Sequence, residues 1–157
     1  MKPRVYVETT IVSYLTSRPS RDLLVAAHQQ VTQDWWDHRR GDFELFTSEV
    51  VFAEAGQGDA DAAAKRLHAI SALTPVQVTH AAEAIAADLV ARGAVPREKP
   101  EDALHIALAA SHGLDYLLTW NCAHIANAEM RQRVEEVCLS LGYEAPVICT
   151  PEELMGG

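Results

Sequence analysis

The run PREKPEDALHIALAASHGLDYLLTWNCAHIANAEM, residues 96–130, decides the architecture. Pro100 suits a first helical position, where its missing N–H leaves no donor unpaired. Glu101 and Asp102 follow, acids placed to complement the positive end of a helix dipole. Ala103 to His112 are small and mostly apolar, which predicts a helix that packs closely on its neighbours. Gly113 supplies the stop, and Asp115-Tyr-Leu-Leu-Thr-Trp120 reads as a short buried strand. Past its end stand Asn121, Cys122 and His124, where open α/β sheets hold ligands, just outside the carboxyl ends of strands.

The same alternation extends in both directions. Toward the N-terminus, residues 4–8 are β-rich, and Thr9 and Thr10 are placed to cap a helical turn over 11–15. Helical spacing covers 22–40 and stops at Gly41. Residues 43–47 read as a strand, with Ser48 capping a helix over 49–55. A helix over 60–73, a strand over 75–78 and a helix over 81–91 capped by Thr79 complete that half. Toward the C-terminus come a helix over 128–141 ended by Gly142, a strand over 146–149, and Thr150-Pro-Glu-Glu, which reads as a capped helix start. Strands alternating with helices predict one domain over 1–157, an α/β/α three-layer sandwich with a central, mainly parallel sheet. A Gly-rich phosphate loop is missing, which argues against the nucleotide-binding versions of this architecture.

With 157 residues the chain can bury one sizeable core. Its cysteines, Cys122, Cys138 and Cys149, have no CxxC spacing, so neither a disulfide framework nor a zinc site is indicated. The expected compartment is a reducing cytoplasm. The sequence has no apolar run of membrane-spanning length and no secretion-signal pattern. The net charge of −9, from 13 basic and 22 acidic residues, argues against a broad phosphate-binding surface. Arg18 with Arg21, Arg39 with Arg40, Lys65 with Arg66, and Arg97 with Lys99 are candidate pieces of a local basic rim, each most simply read as a solvated face.

In a parallel sheet every carboxyl tip lies along one edge. Glu8 ends the first strand, Glu54 lies in the helix after the second, Asp102 opens the helix before the Asp115–Trp120 strand, and Asn121 follows that strand. These four side chains are expected to converge. Two carboxylates about 4 Å apart repel by roughly 4 kcal/mol at an effective dielectric near 20. Three together demand raised pKa values, separation, or a cation among them. Hard oxygen ligands of this kind suit Mg²⁺ or Mn²⁺.

Taken in order, Val7-Glu-Thr-Thr-Ile-Val-Ser-Tyr14, Ser48-Glu-Val-Val-Phe-Ala-Glu54, Asp102-Ala-Leu-His-Ile-Ala107, Leu118-Thr-Trp-Asn121 and Ile148-Cys-Thr-Pro-Glu-Glu-Leu154 resemble the PIN-domain nucleases, particularly the toxins of VapC-type toxin–antitoxin pairs. The resemblance implies a metal-dependent endoribonuclease, an RNA substrate, homodimerisation and a cognate antitoxin protein. It assigns the site to Glu8, Glu54, Asp102 and Asn121. Glu8 and Asp102 are expected to bind the ion, Glu54 to hold or deprotonate its water, Asn121 to orient surrounding groups, and Thr9 and Thr119 to give hydrogen-bonding support. The family's usual first and fourth acids are Asp, whereas this chain has Glu8 and Asn121. Loss of the fourth charge weakens a second ion most and leaves a catalytically silent protein- or RNA-binding module as the alternative.

Other residues have simpler readings. His105 and His124 are candidate metal ligands, but HxxxH-type zinc spacing is missing, and a hydrogen-bonded core or supporting role is the simpler reading. Trp35 and Trp36 fit a half-buried helix seam. Trp120, at the strand tip, is the better candidate for stacking on a base. Cys122 has no neighbouring cation in sequence to activate it as a nucleophile.

Overall fold

Val5, Tyr6 and Val7 are fully buried β-formers, and they make β1 (Arg4–Val7) the centre of the sheet. The computed structural model describes residues 1–156. After β1 the chain runs through α1 (Thr9–Thr16), α2 (Leu23–His38), β2 (Glu44–Ser48), α3 (Glu49–Ala55), α4 (Ala60–Ile70), β3 (Thr74–Val76) and α5 (His80–Ala91). It continues through α6 (Pro100–Ser111), β4 (Tyr116–Leu118), α7 (Ala128–Ser140) and β5 (Val147–Cys149). The strand order is β3-β2-β1-β4-β5 and every pairing is parallel. Right-handed crossovers in that order put the helices up to α4 on one face and α5 to α7 on the other. The packing agrees, with α1 against α2, α3 and α4, and α5 against α6 and α7. The result is the three-layer α/β/α sandwich that the alternation predicts.

The helix at 100–111 carries the second layer. Its Ala103, Ile106, Ala107, Leu108 and Ala109 are fully buried, because α6 lies between the sheet and α5. Pro100 stands in its first turn, and Gly113 beyond its end takes φ +64°, the left-handed conformation that closes such a helix at no side-chain cost.

Several boundaries differ from the sequence reading. Thr9 and Thr10 are helical residues and do not cap; Glu8 takes the cap position in extended conformation, without a side-chain cap bond. Asp22 caps α2, and Gly41 lies in a 3₁₀ turn beyond it. Helix α4 ends at Ile70, since Thr74 to Val76 join the sheet beside β2. The strand expected over 115–120 narrows to 116–118. Thr150-Pro-Glu-Glu forms the reciprocal bonds of a capping box, Thr150 N to Glu153 Oε1 at 3.1 Å and Glu153 N to Thr150 Oγ1 at 3.4 Å, but only a single turn follows. No helix among the described residues is long and apolar enough to cross a membrane.

Candidate metal centre

The chain leaves β1 toward β2 on one side and returns to β4 on the other, so the sheet has its topological switch point between β1 and β4. Crevices at such points are where open α/β sheets place ligands. Val7 pairs with Leu118, which brings the next residues, Glu8 and Thr119, side by side. Glu8 is 3% exposed, and its Oε1 accepts hydrogen bonds from the hydroxyls of Thr10 and Thr119, the latter at 2.6 Å. Burial pushes the Glu8 carboxyl above its usual range, against the lowering effects of His105 and the two hydroxyls.

Glu54 reaches the same place from α3. Its Oε1 accepts from Thr9 Oγ1 at 2.6 Å and from His105 Nε2 at 2.7 Å. Partial burial works to raise its pKa, but the hydrogen bond and charge of His105, with Thr9, outweigh it and hold the carboxyl below the usual value. His105 is fully buried. Burial works against its charge, yet the bond to Glu54 and the charges of Glu8, Glu54 and Asp102 lift its pKa above the ordinary 6.5.

The imidazole is fixed from behind. Tyr6 stands two residues before Glu8 and so on the same face of β1. Its Oη lies 2.7 Å from His105 Nδ1 and 2.7 Å from Ser48 Oγ. An ionised Glu54 can only accept, so Nε2 carries the proton it donates. Ser48, Tyr6, His105, Glu54 and Thr9 thus form one hydrogen-bonded chain from the end of β2 to the start of α1.

Ligand atoms of Glu8, Glu54 and His105 all lie within 4.8 Å of one another, and no other such group of His, Cys, Asp or Glu occurs among the described residues. Asp102 lies outside this group. It is 8% exposed, one turn earlier on α6, with Oδ2 at 3.2 Å from Nδ1 of the half-exposed His124. Asn121 organises a turn: its Oδ1 accepts from His124 N at 3.1 Å, and its own N–H donates to Thr119 Oγ1 at 2.9 Å. Of the expected supports, Thr9 holds Glu54 and Thr119 holds Glu8.

Tyr6, Ser48 and Thr10 were not legible as neighbours of these acids, whereas the hydrogen-bonded role expected of His105 is present. The His105 signal was its spacing of three from Asp102, which puts both on one helical face. A search for local zinc spacing misses it, because its partners come from β1 and α3. The His105 imidazole, hydrogen-bonded to Glu54 and with its pKa raised, also eases the approach of the carboxylates.

Trp120 does not offer a free face. His28 stacks on it at a centroid distance of 4.0 Å and 11° between planes, and its Nε1 donates to Thr32 Oγ1 at 2.7 Å. Trp35 and Trp36 are buried seam residues as expected. Arg39 pairs with Asp42, Arg40 lies over the Trp36 ring, and Arg66 donates to the carbonyls of Ala55 and Gln57, so these cations serve local structure. The three cysteines are unpaired, and burial pushes the thiols of Cys138 and Cys149 up to about 11 and about 12. The thiol of Cys122 is raised by burial and by Glu153, so no thiolate is favoured beside the site.

The family model described as PIN domain matches residues 5–121. The crystal structure of VapBC2 from Rickettsia felis bound to a DNA fragment from their promoter superposes with a TM-score of 0.61. Identity to it is 13%, over 94% of this chain and 98% of that one, a likeness of fold. No curated protein matches the chain in sequence.

Proposed function

The chain belongs to the PIN-domain family, and on that premise we propose that it is a divalent-metal-dependent endoribonuclease, the toxin of a type II toxin–antitoxin pair. The observation that carries this reading is the gathering of Glu8 and Glu54 at the switch point of the sheet, within reach of a single ion. The donor set fits a cation. Both glutamates take their protein hydrogen bonds on Oε1, and Oε2 of each accepts none among the described residues.

Glu8, Glu54 and Asp102 are the residues assigned to hold Mg²⁺ or Mn²⁺. Such an ion, when bound, neutralises phosphate charge and lowers the pKa of a coordinated water. The chain's own residues do the rest. Thr10 and Thr119 keep Glu8 in place. Glu54, half-buried and held by Thr9, presents Oε2 to accept a proton from the attacking water. Asn121 fixes the turn that sets His124 against Asp102. Water adds to phosphorus, and the bond to the departing nucleotide's oxygen breaks, leaving a phosphate on one fragment and a hydroxyl on the other. Partners under this reading are RNA, a cognate antitoxin protein and a second copy of the chain; the likeness to a VapBC2 structure supports the toxin assignment.

The His105–Glu54 ion pair favours one other reading, a catalytically silent module that binds a protein or RNA partner, because it lets the carboxylates assemble without a metal. Incubation of a mixed RNA pool with the protein, with and without EDTA, separates the two. The nuclease reading expects cleavage that EDTA stops and that Glu8→Gln or Asp102→Asn abolishes with the fold intact. Full cleavage by the Glu8→Gln/Asp102→Asn double variant would eliminate the assignment.

A further inference from the structure

We propose that His105 Nε2 is itself a ligand of the bound ion, which makes the centre select an imidazole-accepting dication such as Mn²⁺ over Mg²⁺; the proposal rests on the divalent-ion reading above. His105 is the third residue of the tight group, its Nε2 lying 2.7 Å from Glu54 Oε1, while Asp102 lies outside the group against His124. Two donors on one ion, each about 2.1 Å from it, are separated by roughly 3 to 4 Å. A group spanning at most 4.8 Å therefore closes on an ion with little movement.

The imidazole is oriented as a ligating histidine needs to be. Metal-bound histidines have their second ring nitrogen fixed by a hydrogen bond, which sets the tautomer and aims the lone pair. Here Nδ1 meets Tyr6 Oη, which in turn meets Ser48 Oγ, both at 2.7 Å, inside a fully buried pocket where the ring has no room to swing. With Nδ1–H donating to Tyr6, and Tyr6 donating to Ser48, Nε2 is free to bind metal once its own proton leaves to solvent. The ion replaces that proton between Nε2 and Glu54, while Oε2 of Glu8 remains available as an oxygen ligand and Oε2 of Glu54 is left for the water. Mg²⁺ prefers an oxygen shell in near-ideal octahedral geometry, whereas imidazole nitrogen suits first-row transition ions. A centre that adds a buried imidazole to its carboxylates therefore discriminates between the two ions.

The direct test uses the wild-type protein loaded with Mn²⁺ and reads ¹⁴N coupling to the ion by pulsed electron paramagnetic resonance. Calorimetric titrations with Mn²⁺ and Mg²⁺ accompany it. The expected result is ¹⁴N modulation that persists in His124→Ala and disappears in His105→Asn, with Mn²⁺ binding at least about tenfold tighter than Mg²⁺. Tyr6→Phe is expected to keep the coupling and weaken Mn²⁺ binding by about tenfold. Bound Mn²⁺ without ¹⁴N modulation, or modulation lost in His124→Ala, overturns the proposal and leaves the nuclease reading standing. Failure of the wild type to bind either ion removes that reading as well. Because the spectrum is read on the wild type, the test holds even if His105→Asn does not fold.

Discussion

Glu8 and Glu54 sit in a buried lattice of hydroxyls around a fully buried imidazole, whereas Asp102 and Asn121, on the same edge of the sheet, meet the half-exposed His124 and the turn it belongs to. In the first half the groups come from four elements and one strand end: β1 through Tyr6, β2 through Ser48, α1 through Thr9 and Thr10, α6 through His105, and Thr119 just past β4. The second half draws on the start of α6 and one turn. A carboxylate held by several fixed donors is set in place before any ligand arrives, which costs stability when the donors are cut. A carboxylate facing a single half-exposed partner is cheaper to alter in stability. The first half is therefore rigid before anything binds, and the second, where Asp102 lies, is free to adjust.

The largest expected effect is on catalysis. Glu8→Gln should lower RNA cleavage by about 10²- to 10³-fold, and Asn121→Ala by about tenfold, measured as initial rates with Mn²⁺. Equal losses would break the contrast. Stability should divide the same way. Tyr6→Phe leaves His105 Nδ1 and Ser48 without their shared partner and should cost about 1 to 3 kcal/mol in urea unfolding.

A smaller effect follows from pH. The raised pKa of His105 contributes stability that is fully present below 6.5 and is lost as pH rises through its folded value. Glu8, raised by burial, adds a decline of the same sign that begins at lower pH. Glu54 runs oppositely: its lowered pKa contributes stability present above 4.5 and lost as pH falls through its folded value. Metal-free protein should therefore lose stability as pH rises on the alkaline side, and unfolding midpoints of His105→Gln should show a flatter profile there. The smallest change should come from His124→Ala, within about 0.5 kcal/mol of wild type. A cost there matching Tyr6→Phe would erase the distinction between the halves.

Much of the fold was legible because its signals are local. Pro100 with its two acids, Gly113 and the Ser48 and Thr79 caps each act within a few residues, and the structure keeps all of them. Thr9 and Thr10 misled as caps because their hydroxyls are drawn to Glu54 and Glu8 by tertiary contacts. The approach of Glu8 to Glu54 was legible because acids at strand ends and after strand-linked helices lie along one edge whenever the sheet is parallel. A supporting role for His105 was legible, but its partners were not, since Tyr6 and Glu54 lie 99 and 51 positions away. A buried histidine on a helix reads the same in sequence whether it fills the core or completes a site. Trp120 failed as a stacking surface for the same reason, as His28 comes from α2 to cover it.

Calorimetric titration of the metal-free protein with Mn²⁺, wild type against Glu8→Gln, tests the central claim most directly. One ion should bind the wild type, and binding should be lost in a variant that remains folded. Binding unchanged by Glu8→Gln, or no binding to the wild type, would contradict the account.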